Sequence, residues 1–289
     1  MQITDFSSNW IDLSADIKLS LDNLGAAIGR ITASNIHNFT AREVEQIQSV
    51  LTTCFWNALP YFVEGSKQNP IHHNTQVLDN MVRIGLGEHL NFREFKISLI
   101  TALLHDIGNA VSKRPKIKTD QVKQAFERHD CESAIRLAYQ AIEFRLEHMD
   151  NGPALLTKVT HPLIADEILN RAELHIINRA VLLHDYPSIE EVLTDLWKNN
   201  LETQYHPGDF LLPFDGTIFG RLIERLREAD RLFMVSKQGV AKDLRDSNKE
   251  RNDVNMLEKL CSNAEKHRRE YCLYEAVAQI DGFQNQTLY

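Results

Sequence analysis

Apolar residues recur at three- and four-residue spacing through most of this chain, and no stretch sustains the two-residue alternation of a half-buried strand. The pattern predicts helices near residues 40–62, 73–86, 92–108, 119–147, 162–184, 187–199, 217–238 and 253–279. Turn-forming residues separate them: GSKQNP before His72, GLG at 85–87, KRPK from Lys113, DNGP at 150–153 and YHPGDFLLPFDG at 205–216. The expected fold is all-α, a helical bundle preceded by an N-terminal extension. A boundary falls near residue 240, where DLRDSNKERNDV is densely charged. The following segment is amphipathic through Leu257, Leu260, Ala264 and Tyr271 and reads as an appended helix over 241–289, packed on a main domain of residues 1–240.

Several polar residues sit on apolar stripes of these helices. Asp230 aligns with Phe219, Ile223, Leu226 and Phe233, a setting in which an unpaired carboxylate costs several kcal/mol or gives up its charge. A cation, a set of hydrogen-bond donors or a metal ion resolves that conflict. His105 and Asp106 end the apolar run FKISLITALLHDIG, and His73, His129 and His184 lie on stripes of their own. The run TALLHDIG at 101–108 has an echo in RAVLLHDYP at 179–187. Each sets His-Asp at the end of an apolar helix beside a residue that stops one, Gly108 or Pro187, so both dipeptides are expected to face one cleft. Imidazole nitrogens and carboxylate oxygens in this number suit one or two divalent transition ions: iron or manganese first, with zinc, cobalt, nickel or magnesium as alternatives. A carboxylate can bridge two ions where an imidazole binds one, which makes Asp106 the bridging candidate.

Composition narrows the setting. A chain of 289 residues with 43% apolar and 25% charged residues can bury one large core or two modest ones. Its net charge of -8 gives no general attraction to nucleic acid polymers or anionic membranes, though a local basic patch still suits a small anion. The cysteines Cys54, Cys131, Cys261 and Cys272 are widely spaced, with neither a disulfide framework nor a thiolate metal motif. With no secretory leader and no apolar run of about 20 residues, a cytoplasmic protein is expected.

His73 with Val77 four residues on, then LLHDIGNA, then EADRL, resembles the HD-domain superfamily of metal-dependent phosphohydrolases over about residues 70–236. The resemblance implies an HD-type helical fold and a metal set of His73, His105, Asp106 and Asp230. His129 in FERHDCESA and His184 in AVLLHD match the two further histidines of the six-ligand dinuclear subgroup. That subgroup includes cyclic-nucleotide and cyclic-dinucleotide phosphodiesterases and mixed-valent di-iron oxygenases. The GYP motif of the cyclic-dinucleotide branch is absent, since HDYP has no glycine before Tyr186, and Asp185 stands where some relatives carry a second His or a Glu. Asp185 is open to three roles: an added ligand, an orienter of His184, or the start of a turn.

Each assignment has a structural competitor. His72 competes with His73 as ligand, but His73 shares a face with Val77 and Met81, which places His72 at the entrance. His129 shares a stripe with Val122, Phe126, Ser133 and Leu137, where a satisfied core histidine is the alternative. His161 precedes Pro162 at a helix start and is a minor substitute, and His175, His206 and His267 have no comparable setting. Substrate phosphate is assigned to Lys113 and Arg114 of the basic loop that continues to Lys116 and Lys118, with His72 beside them and Arg83 or Arg231 as a second contact. The resulting expectation is a hydrolase of a nucleotide or other small phosphate ester, with Asp106 and His105 at the reacting centre and metal-activated water as nucleophile. A di-iron oxygenase and a non-catalytic metal- or ligand-binding sensor are the alternatives, and a homodimer is compatible with either.

Overall fold

The computed structural model describes residues 4–65, 71–114, 117, 119–199, 201, 203–210 and 218–234. They form nine α-helices and no strand, as the periodicity predicts: α1 (Thr4–Asn38), α2 (Ala41–Gly65), α3 (Ile71–Gly87), α4 (Phe92–Leu104), α5 (Thr119–Glu127), α6 (Cys131–Ala165), α7 (Arg171–Leu183), α8 (Tyr186–Lys198) and α9 (Ile218–Met234). One-turn 3-10 segments span Ile107–Ala110 and Pro207–Phe210. The appended helix expected over 241–289 lies outside the described residues. No described helix is long and apolar enough to cross a membrane.

Local chemistry sets the boundaries. Asn91 accepts a hydrogen bond from the backbone N–H of Glu94 and starts α4. Asn170 and Glu173 form a reciprocal capping box at the start of α7, with bonds of 2.9 and 3.0 Å. That box, preceded by Glu167 in the left-handed region (φ 58°), splits the helix expected over 162–184. The helix expected over 119–147 is likewise divided. His129 takes φ 59° at the end of α5, and Asp130 then caps α6 by accepting from the N–H of Ser133. In the opposite sense, DNGP is no break. α6 runs 35 residues straight through it, with Pro153 inside. A Gly and a Pro there cost about 1 and 3 kcal/mol of helix propensity, which the packing of α6 on its neighbours offsets. Gly152 is part of that packing, because a Cβ on it would lie 2.6 Å from Val181.

Residues 1–40, expected only as an extension, contain a long helix. Ser20, Leu24, Ala27 and Ile31 of α1 are buried along one stripe, and α1 packs against α3. Arg30 of α1 donates to the buried Asp79 of α3 at 2.9 Å, and Arg83 completes the pairing at 3.0 Å. The apolar interior falls into two clusters. The larger joins α1 to α4, the second half of α6, α7 and α9. The smaller is built from Val122, Ala138, Ile142, Met149, Ile189, Val192, Leu193, Leu196 and Phe210, contributed by α5, the first half of α6, α8 and the Pro207–Phe210 turn. Along α6 the change of cluster falls between Met149 and Leu155, next to His148.

Candidate metal centre

Two buried asparagines on α3 hold in place the helix ends that carry ligands. Asn74 donates to Leu103 O in the last turn of α4 (3.1 Å), and Asn80 donates to Ala229 O, one residue before Asp230 (2.9 Å). His73 projects from the first turn of α3, and Phe233 meets its ring edge-on at 4.5 Å. Five helices then converge on two groups whose ligand atoms lie within 4.8 Å of one another: His73, His105 and Asp230 in one, Asp106, His148 and His184 in the other.

Asp106 stands between them. Its Oδ2 is 3.6 Å from His73 Nε2 and 3.6 Å from His105 Nε2, while its Oδ1 is 3.3 Å from His184 Nε2 and 3.8 Å from His148 Nε2. Asp230 Oδ1 completes the first group at 3.1 Å from His73 Nε2. Metal–ligand bonds of about 2.0–2.3 Å place two donors of one ion up to about 4 Å apart, so these separations suit an ion in each group with the carboxylate shared.

The imidazoles are oriented from behind. Their Nδ1 atoms lie against backbone carbonyls of their own helices: His105 on Ala102 O at 2.9 Å, His184 on Val181 O at 2.7 Å and His148 on Phe144 O at 3.3 Å. With Nδ1 donating, each Nε2 presents a lone pair inward. His148 and His184 Nε2 are then 3.3 Å apart beside a carboxylate oxygen, an arrangement of acceptors that calls for a proton or a cation. The charge distribution agrees. Burial disfavours a charged His184, yet the Asp106 carboxylate beside it pushes its pKa up to about 9. Burial also opposes ionisation of Asp230, but His73 and, less, His105 hold its carboxyl down to about 2. At His73 burial outweighs the hydrogen bond and charge of Asp230 and the charge of Asp106, and shifts the ring below the ordinary histidine value. The set is four imidazoles and two carboxylates, in two groups that could each hold a metal ion.

His73, His105, Asp106, His184 and Asp230 are thus brought together. Asp230 is less buried than its stripe suggested: its side chain is 45% exposed against 10% for Asp106, so it stands at the margin of the centre rather than in the core. His129 is not part of the cluster. It is exposed at the αL end of α5, and the sixth place belongs to His148, which is 2% exposed. His148 is hidden in the sequence because DNGP at 150–153 predicts a helix that ends near residue 147. Its signal was the stripe Ala141, Phe144, Arg145, His148 and Gly152, buried throughout. His129→Ala should leave metal content unchanged while His148→Ala loses metal, as measured by elemental analysis of purified protein. Equal metal loss in both would refute the assignment.

The substrate assignments fare differently. His72 is buried, with its Nδ1 against the Asp16 carboxylate of α1, and so does not line an entrance. Arg114 is exposed and engages Glu143 and Glu147 of α6 instead of the centre. Lys113 is exposed, with its backbone N–H donating to Glu147. Arg83 pairs with Asp79, while Lys116, Lys118 and the Arg231 side chain lie outside the described residues. His161, His175 and His206 are exposed, and His267 lies outside the described residues.

No protein-family model, no curated protein and no solved structure matches this chain.

Proposed function

We propose that this protein is a dinuclear metal-dependent phosphohydrolase of the HD type, acting on a nucleotide or another small phosphate ester. The supporting observation is the Asp106 carboxylate, with one oxygen toward each imidazole group. His73, His105 and Asp230 would hold one ion, His148 and His184 the other, and Asp106 both. Such a pair supplies positive charge for a phosphate oxygen and makes water nucleophilic near neutral pH. The chain's own part is to fix the donors: the carbonyls of Ala102, Phe144 and Val181 set the ring orientations, and Asn74 and Asn80 anchor the helix ends. Two divalent ions against two ligand carboxylates leave the centre net positive, which favours an anionic substrate. The partly exposed Asp230 marks the side from which it approaches.

The test is phosphate release from a panel of nucleotides and small phosphate esters by protein loaded with Mn2+ or Fe2+. Release that stops on chelation and returns with metal is expected, and silence across the panel sinks the proposal. A second reading, a mixed-valent di-iron oxygenase, is favoured by the imidazole-rich donor set, which suits iron better than magnesium. It also draws on the engagement of Arg114 with α6, which removes one intended phosphate contact. Substrate oxidation that requires O2, with a mixed-valent spectroscopic signal, would select it.

A further inference from the structure

The two His-Asp dipeptides share more than sequence. His105 and His184 both end their helices in right-handed helical backbone (φ/ψ −56/−38° and −60/−30°), each with Nδ1 on the carbonyl three residues back. Asp106 and Asp185 follow with nearly the same dihedrals, −97/12° and −101/5°, and each immediately precedes a new helical segment. An identical backbone frame presents the two aspartates alike relative to the histidines before them. The first supplies the bridging carboxylate.

Asp185 starts α8 through its backbone, its carbonyl accepting from the N–H groups of Ser188 and Ile189, while its carboxylate faces the second group of donors. Its side chain makes no capping hydrogen bond to the backbone of α8. Its Oδ2 lies 3.8 Å from His148 Nε2, the separation that Asp106 Oδ1 keeps from the same nitrogen. Arg145 Nε lies 3.3 Å from the same Oδ2 and pairs with the carboxylate. Arg145 is buried and itself fixed by donating to Ala141 O at 3.0 Å, so it holds Asp185 beside the second group of donors. That group is otherwise short of a donor. The first ion has His73, His105, Asp230 and one oxygen of Asp106, whereas Asp106, His148 and His184 alone make up the second triad, which Asp185 touches at His148.

We propose that Asp185 is the fourth protein donor of the second ion, so that each ion of the pair receives two imidazoles, one terminal carboxylate and one oxygen of Asp106. This rests on the dinuclear reading of the centre, and it resolves the three roles that the sequence left open for Asp185. Arg145 then serves as a positioning residue that holds the carboxylate in reach of the second group of donors.

The experiment is titration of the full-length chain with Mn2+, followed by electron paramagnetic resonance of free and bound ion. Wild type should take up two ions and show the signal of a coupled pair. Asp185→Ala should retain one ion at wild-type affinity, bind the second at least about tenfold more weakly and lose the coupled signal. Asp185→Asn separates ligation from scaffolding. Its amide still accepts from Arg145 but is a poor neutral donor, so ligation predicts the same loss as alanine. Two ions bound at wild-type affinity by either variant overturns the inference while leaving the centre intact. A wild-type chain that binds no Mn2+ overturns both. Unchanged far-ultraviolet circular dichroism and melting temperature exclude misfolding as the cause of any loss.

Discussion

Asp106→Ala should empty both halves of the centre at once. Each other candidate ligand belongs to one of the two donor groups, whereas the two oxygens of Asp106 stand within 3.3–3.8 Å of all four imidazole Nε2 atoms. Removing it would take a donor from each candidate ion site and, among the described residues, the carboxylate that lies between the two groups. Metal content should fall from two ions per chain toward none, and metal-dependent turnover by on the order of 10³-fold, the equivalent of several kcal/mol of transition-state stabilisation. The helices should persist, because the buried surface around residue 106 is carried by Leu103, Leu104 and Ile107 rather than by the carboxylate. Asp106→Asn, which keeps the shape and loses the charge, should resemble alanine. Retention of two ions in either variant would show that the carboxylate does not bridge.

Gly108→Ala should be the most damaging single methyl group in the neighbourhood. A Cβ at residue 108 would lie 1.8 Å from His148 O and 2.9 Å from Gly152 N, both backbone atoms of α6 that no rotamer change can move. Either the 107–110 turn or α6 has to retreat, and His148 is carried away from Asp106 with it. The cost should be about 3 kcal/mol of stability, the upper part of the usual range for overpacking, read as a lower denaturant midpoint at constant slope. Loss of metal should accompany it. An unchanged midpoint would mean that α6 packs less closely on this turn than the structure shows.

Legibility followed how local the controlling interaction was. The helices α2, α3, α4, α8 and α9 were readable because each carries its own apolar stripe, and the paired His-Asp dipeptides were readable because helix end and ligand coincide in sequence. α1 was overlooked although Ser20, Leu24, Ala27 and Ile31 form a stripe, since Gly25 and Gly29 weaken helix propensity and the tie to α3 through Arg30 and Asp79 is long-range. The exchange of His129 for His148 has the same origin. Gly152 and Pro153 look like a break until Val181 and the 107–110 turn are packed against α6, and no local rule reports those neighbours. The pairing of Arg114 is hidden for a related reason: its partners, Glu143 and Glu147, lie on a helix about 30 residues away.

The change of apolar cluster along α6 has a mechanical meaning. His148 sits where α6 leaves the smaller core and enters the larger, while Asp106 belongs to a turn that follows a helix of the larger. The gap between Asp106 Oδ1 and His148 Nε2 therefore measures how the two cores are seated on each other. A metal ion held across that gap would tie the two cores together like a rivet, and packing changes in the smaller core, at Val192 or Leu196 for instance, would then reach the candidate centre.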